Sequence, residues 1–274
     1  MKHPDGPWER TYPPELPIGT EAWWIPISAE GEIRLATSGQ DLVRGPVDRA
    51  PGHAVLIARR SGLPVLAWRE PARADDDQSG ADTMCTPLRE AVGRFPERSA
   101  HLLGYAAQIV AFREEARFCP RCGTALVDGE LWSRTCPSCR HALWPPATPA
   151  VLLLIHDGGD RILLAQKPGW GERWSILAGF VEPGESLEGC CAREALEEVG
   201  VEVRDPTYTG SQPWPFPHQL MIAFEARYVS GDVVPDPGEL ADARWFHVDA
   251  LPKLPPHHAL SRRAIEQWRS RRRP

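Results

Sequence analysis

The apolar positions of this 274-residue chain follow two different rhythms. Up to about residue 70, short apolar runs (22–27, 54–57 and 64–68) alternate with glycine and proline breaks, which predicts a small β-rich region. Residues 71–83 (PARADDDQSGADT) are acidic and poor in bulky side chains, and read as a mobile loop or linker. Helical spacing appears at 101–118 (HLLGYAAQIVAFREEARF). After a proline-rich joint at 144–149 (WPPATP), strand-like runs at 150–155 and 161–166 flank a turn, HDGGD. A second helical stripe runs through Leu187, Ala192, Ala195, Leu196 and Val199. Strands follow near 219–229 and 243–248, and a last helix carries Leu260, Ala264, Ile265 and Trp268 on one face. Strands interleaved with helices in this order predict a mixed α/β sandwich, and no internal repeat is visible.

Composition adds mainly exclusions. A hydrophobic share of 42% and a charged share of 25% are ordinary for a globular protein. The formal net charge of −6 gives no general electrostatic reason to bind nucleic acid; the basic stretch 269–273 (RSRRR) is a local exception and reads as a frayed, solvated end. No apolar run approaches the length of about 18 residues that a membrane span requires. The opening residues lack a basic-then-apolar signal layout, so a cytoplasmic location is expected, and there the 7 cysteines are not expected to be disulfides.

Four of those cysteines form two C-x2-C knuckles, Cys119 with Cys122 and Cys136 with Cys139. Four thiolates around one tetrahedral Zn²⁺ leave no open position, so a structural zinc is expected. Cys85, Cys190 and Cys191 read as packing residues.

The strongest chemical signal is residues 179–201 (GFVEPGESLEGCCAREALEEVGV). Gly179, Glu185, Arg193, Glu194, Glu197, Glu198 and Gly200 stand at fixed spacing, with odds on the order of 10⁻⁸ per starting position at average residue usage. Ser186 is a candidate N-cap, and Gly200 sits where a left-handed C-terminal residue is wanted. On this helix Glu194 and Glu198 are i, i+4 neighbours, and Glu197 is i+3 from Glu194. Stacked like charges are unfavourable in water. Three carboxylates on one face, with Glu185 on the preceding loop, suit a hard divalent cation with oxygen ligands. The planar fork of Arg193 can hold a neighbouring carboxylate. An acidic surface helix is the bland alternative, and the register of the glycines and Glu185 argues against it.

Residues 211–218 (SQPWPFPH) place prolines at 213, 215 and 217, which is incompatible with a central strand and predicts a stiff extended loop. Its rings, Trp214 and Phe216, offer flat surfaces for stacking on heteroaromatics. Composition alone favours a plainer reading, a rigid connector whose rings pack inward.

The acidic helix resembles the Nudix box of hydrolases acting on nucleoside diphosphates linked to another group. With SQPWPFP behind it and a four-cysteine ribbon ahead, the chain is similar to the NAD(H) diphosphatase branch of that family, some members of which remove NAD caps from RNA. The resemblance implies an α/β/α sandwich on a mixed sheet, with an N-terminal α+β domain (1–113), a zinc ribbon (114–147) and a Nudix domain (148–274). It implies that Glu194, Glu198, Glu239 and the Ala178 carbonyl hold Mg²⁺ or Mn²⁺, with Glu197 completing the acidic site. It further implies a pocket lined by Gln212, Pro213, Trp214, Pro215, Phe216, Pro217, His218 and Gln219. Phe180 and Trp214 would sandwich the nicotinamide, with one ring open to supply by a partner subunit of a homodimer. Ser261 falls near another pocket position, and Trp144 where the family carries a tyrosine. Gln219 stands where the family carries a serine, an amide in place of a hydroxyl.

The implied reaction is cation-dependent hydrolysis of NADH or NAD⁺ to nicotinamide mononucleotide and AMP, with Glu197 or Glu198 assisting proton removal from water. Decapping of NAD-capped RNA is the alternative. A nucleotide sensor without catalysis would need a broken box, and this box has every carboxylate.

Overall fold

The computed structural model describes residues 8–10, 20–39, 41–71 and 83–272. The opening segment, the 71–83 linker except its two end residues, and Arg273 of the basic stretch lie outside them. The chain divides into two compact units, Met1–Pro146 and Ala147–Pro274.

The first unit opens with β1 (Trp8–Arg10), β2 (Glu21–Ile27), β3 (Glu32–Ala36), β4 (Val43–Pro46), β5 (Val55–Arg60), β6 (Leu63–Arg69) and β7 (Thr83–Pro87). These form one sheet in the order β1-β5-β6-β2-β3-β7, with β4 also on β2. Two helices follow, α1 (Leu88–Arg94) and α2 (Glu97–Glu115). The helix expected at 101–118 therefore starts earlier, directly after Pro96, and stops at Glu115. A small ribbon ends the unit, with β8 (Val127–Asp128), β9 (Arg134–Thr135) and β10 (Ala142–Leu143). Phe112 and Ala116, at the end of α2, share a buried cluster with Cys119, Leu126 and Cys136.

The second unit contains β11 (Thr148–His156), β12 (Arg161–Gln166), β13 (Leu177–Phe180), α3 (Leu187–Val199), β14 (Glu202–Trp214), β15 (Gln219–Ser230), β16 (Asp242–His247) and α4 (Leu260–Ser270). Its mixed sheet runs β14-β15-β11-β12-β16, with β13 also on β11, and β11 is parallel to β15. Alternate residues of a strand face opposite sides. Val151, Leu153 and Ile155 pack with α3, while Leu152 and Leu154 pack with α4. The mixed α/β sandwich is as expected.

Three local expectations need correction. On α3, Ala192 and Leu196 are exposed, and the core positions belong to Cys190, Cys191, Ala195 and Val199. Residues 211–214 are not loop but the end of β14, and β14 is an edge strand. The proline rule excludes only central strands: an edge strand leaves one row of N–H groups unpaired, so Pro213 costs no ladder bond. Finally, residues 269–272 of the basic stretch are held against the second unit rather than frayed. The helix α4 runs to Ser270, Arg271 pairs with Glu225, and Arg272 donates to the Gly159 carbonyl at 2.8 Å and covers the Trp268 ring. Among the described residues no helix is long and apolar enough to cross a membrane.

Candidate active site

The acidic helix is set at both ends by its own sequence. Ser186 caps it by accepting from Gly189 N at 3.0 Å, and Gly200 closes it in the left-handed region at φ 73°. Between them, Arg193 organises the carboxylates. Its guanidinium donates to both oxygens of Glu185 (2.8 and 2.9 Å), to Glu194 (2.8 Å), to Glu197 (2.9 Å) and to the Phe180 carbonyl (2.8 Å). These bonds hold Glu185 well below the usual carboxylate range, at about 2.

Glu194 and Glu198 turn toward the sheet, whereas Glu197 stays at the rim with its side chain 60% exposed. Glu194 packs on Gly179 in β13: a β-carbon on that glycine would overlap the Glu194 carboxylate. Gly179 thus keeps the space the carboxylate occupies, as its place in the pattern requires. Gly179→Ala is expected to displace Glu194, a flexible side chain, and so to lower hydrolytic turnover at least about tenfold with little change in Tm. Turnover and a thermal melt measured together check this; a fully active variant would remove the role given to that close approach.

Glu198 is the most confined carboxylate. Its side chain is 1% exposed, and no side chain hydrogen-bonds to either oxygen. Burial pushes it up to about 7; nearby Glu194 and Glu239 add to the effect, and Lys167, with its ammonium 3.7 Å away, opposes it. Burial also raises Glu194, against the pull of Arg193. A buried carboxylate that no side chain hydrogen-bonds is costly unless charge completes it; Lys167 supplies one such charge in this structure, and a divalent cation with oxygen ligands is the group these carboxylates fit.

Glu239 comes from far along the chain. The turn that carries it is stitched to the C-terminus of α3 by Asp236 N on the Glu198 carbonyl (2.9 Å) and Val234 N on the Val199 carbonyl (3.0 Å). Glu239 itself is exposed, and it acts electrostatically on both Glu194 and Glu198. Ala178 neighbours Gly179 in β13, and its backbone N–H points to the Glu198 carboxylate and favours its charged form. Lys167, one residue past β12, is the participant that sequence reasoning missed, because a single lysine after a strand carries no pattern.

The expected pocket residues separate into groups. Sheet register aligns Phe180, Ala150, Met221 and Gln212 in one row across four strands, and Trp214 lies two residues beyond Gln212. Phe180 and Trp214 therefore share the face that α4 covers, with backbones at least about 14 Å apart at three strand spacings. Phe180 is 52% exposed. Trp214 is half-buried, edge-on to Phe216 at 5.1 Å and stacked with His258 at 6.5 Å. The two rings enclose one heteroaromatic only by leaning toward each other. Gln212 is buried and committed to α4: its amide donates to the His258 carbonyl at 2.9 Å and accepts from Leu260 N at 2.8 Å. Ser261 is buried in the first turn of that helix. Pro215 is buried and Pro213 and Pro217 are exposed. Phe216 and Gln219 are half-buried, and His218 shares a 3.0 Å hydrogen bond with Thr148. Trp144 belongs to the first unit and is 61% exposed. A cavity of about 610 Å³ bounded by His156, Glu225, Arg227 and Arg271 includes neither the carboxylates of α3 nor Glu239.

In the ribbon, the four sulfurs lie within 4.8 Å of one another, and three of their separations are 3.5, 3.6 and 3.7 Å. Tetrahedral Zn–S bonds of about 2.3 Å put sulfurs about 3.8 Å apart, so the cluster fits zinc. The two knuckles fold alike: Gly123 N donates to the Cys119 carbonyl and Arg140 N to the Cys136 carbonyl, each at 2.9 Å.

Residues 146–268 match the NUDIX domain, and residues 114–143 match the NADH pyrophosphatase zinc ribbon domain. A Deinococcus radiodurans protein named NAD-capped RNA hydrolase NudC is 41% identical over 258 residues, covering 92% of this chain and 89% of that one. The chain belongs to the Nudix hydrolase family. A protein of the same name from Stutzerimonas stutzeri is 47% identical to this Nudix hydrolase over 174 residues, 62% of each chain. Among solved structures, a NUDIX hydrolase from Nitrosomonas europaea superposes with a TM-score of 0.47 at 24% identity, covering 55% of this chain and 91% of that one.

Proposed function

We propose that this Nudix hydrolase splits the diphosphate of NADH or NAD⁺ into nicotinamide mononucleotide and AMP. The observation that carries the reading is an intact acidic helix with a buried Glu198 that no side chain hydrogen-bonds, in a chain that also matches the NADH pyrophosphatase ribbon. Glu194, Glu198, Glu239 and the Ala178 carbonyl are assigned as ligands of Mg²⁺ or Mn²⁺. The chemistry such a cation supplies is withdrawal of charge from the bridging diphosphate and acidification of a water. Arg193 keeps Glu185, Glu194 and Glu197 in register. With Glu198 assigned as a ligand, Glu197, steadied by Arg193 at the rim, is assigned the proton of the attacking water. Trp214, Phe180 and the neighbouring residues 212–219, with Ser261 and Trp144, are assigned to the dinucleotide, and Gln219 supplies an amide where relatives of this branch carry a hydroxyl.

A second reading, removal of the NAD cap from RNA to leave 5′-monophosphate RNA, is favoured by the name of the Deinococcus relative. Both substrates present the same nicotinamide and diphosphate, so one site serves both. The resemblance also supports a cytoplasmic homodimer. Phe118, Val127 and Leu131 of the ribbon are exposed apolar surface that a second copy would cover.

Product analysis after parallel incubation with NADH, NAD⁺, ADP-ribose and NAD-capped RNA tests the reading. Nicotinamide mononucleotide should form from the first two and from the RNA. Trp214→Ala should weaken NADH and capped RNA alike, by about 5- to 150-fold if stacking is worth roughly 1–3 kcal/mol. Preferential hydrolysis of ADP-ribose, together with an unaffected Trp214→Ala, would remove the nicotinamide from the site.

A further inference from the structure

The cation beside Glu198 does not come from α3. Lys167 lies one residue past β12, and its Nζ stands 3.7 Å from Glu198 Oε1, beyond hydrogen-bond length. The Glu194 carboxylate, by contrast, is held by Arg193 through a 2.8 Å hydrogen bond. Glu198 thus faces Lys167 as a charge, and no side chain hydrogen-bonds to its carboxylate. Of the two partners, only the ammonium has a route outward: the Lys167 side chain is 35% exposed against 1% for Glu198. The backbone around Lys167 is pinned. The Gln166 carbonyl accepts from Ala241 N at 2.7 Å, next to the turn bearing Glu239, and the Lys167 carbonyl accepts from Trp170 N at 3.2 Å.

We propose that Lys167 is a built-in counter-ion that occupies Glu198 in the metal-free protein and competes with the catalytic cation for that carboxylate. A divalent cation ligated by Glu198 and an ammonium a few ångströms from the same oxygen repel each other, so cation uptake turns the ammonium outward. A bound diphosphate is an anion that the displaced ammonium can meet. Cation and diphosphate therefore favour each other's binding through Lys167, and by linkage the effect is reciprocal.

The proposal rests on the assignment of Glu198 as a cation ligand, and the test separates the two. Mn²⁺ binding is followed through the EPR signal of the free ion at pH 8.5 without nucleotide. Lys167→Gln is expected to bind Mn²⁺ at least about fivefold more tightly than the wild type, the low end for linked binding events. Lys167→Arg keeps the charge and should stay near wild type. In a Glu198→Gln background the gain from Lys167→Gln should vanish. Lys167→Met carries the same expectation and serves if the glutamine variant fails to fold. If Glu198→Gln alone leaves Mn²⁺ binding unchanged, the ligand assignment fails. If Glu198→Gln weakens binding while Lys167→Gln binds no more tightly than wild type, the assignment stands and the counter-ion proposal is overturned.

Discussion

Glu198→Gln is expected to lower hydrolytic turnover at saturating Mg²⁺ by about three orders of magnitude, or ~4 kcal/mol in activation free energy, and to leave the fold intact. The side chain is fully enclosed and α3 is capped at both ends, so an isosteric amide changes charge with little change of volume. What is lost is the buried negative charge proposed to hold the cation. The same substitution should stabilise the metal-free protein at neutral and higher pH. Burial raises Glu198 from 4.5 to about 7 in the folded chain. Between those values the folded state holds a proton that the unfolded state has released, so this group's contribution to stability falls as pH rises through that window and is lost above it. The cost is on the order of 3 kcal/mol, and glutamine avoids it. Melts in EDTA at pH 4.5 and pH 8 should therefore show Glu198→Gln level with the wild type at the lower pH and above it at the higher. Near wild-type turnover in both Glu198→Gln and Glu194→Gln would overturn the cation assignment.

Removal of zinc should have the second large effect, on folding of the ribbon rather than on the chemistry. Freshly purified, reduced protein should contain about one zinc per chain, because four-thiolate sites contribute on the order of 10–16 kcal/mol of binding free energy to the folded form. The strands of the ribbon are only two residues each, and its buried cluster consists of Cys119, Cys136 and a few side chains shared with the end of α2. Apart from the metal, the ribbon is tied to α2 by Trp132 against Tyr105, by Arg134 on the Ala116 carbonyl and by Arg113 with Asp128, and none of these ties reaches the two knuckles. Cys119→Ser is expected to abolish zinc binding and to remove hydrogen-exchange protection from 117–143, while amides of the second unit keep theirs. Zinc-free protein with a protected ribbon would remove the structural role given to the metal.

The sequence carried two kinds of information about this chain to completion. Where a site's groups are close along the chain, spacing alone was enough. The two knuckles bring four sulfurs to zinc distance, and the 179–200 pattern yields the cap at Ser186, the left-handed Gly200 and the Arg193 network. These are one-turn and one-loop geometries, which local backbone sterics settle. The alternation of strands and helices in the second half similarly gave the sandwich, since apolar periodicity reports which faces must be buried.

Whatever depends on a partner distant along the chain was decided by the tertiary structure. β14 was invisible because Pro206, Gly210 and Pro213 break its pattern; register shifts at 204/207 and 208/210 and an edge position accommodate them. Ala192 and Leu196 had the apolar character for the core, yet the sheet meets α3 on the side of Cys190 and Cys191. That the Gln212 amide satisfies backbone groups at the start of α4 was likewise not legible along the chain. Above all, the burial that sets Glu198 apart from Glu197, and the approach of Lys167 and Glu239 to it, arise only when β12, β13 and the 234–241 turn assemble around α3. A carboxylate's charge state follows from the solvent it loses and the charges that surround it, and both are properties of the packed structure.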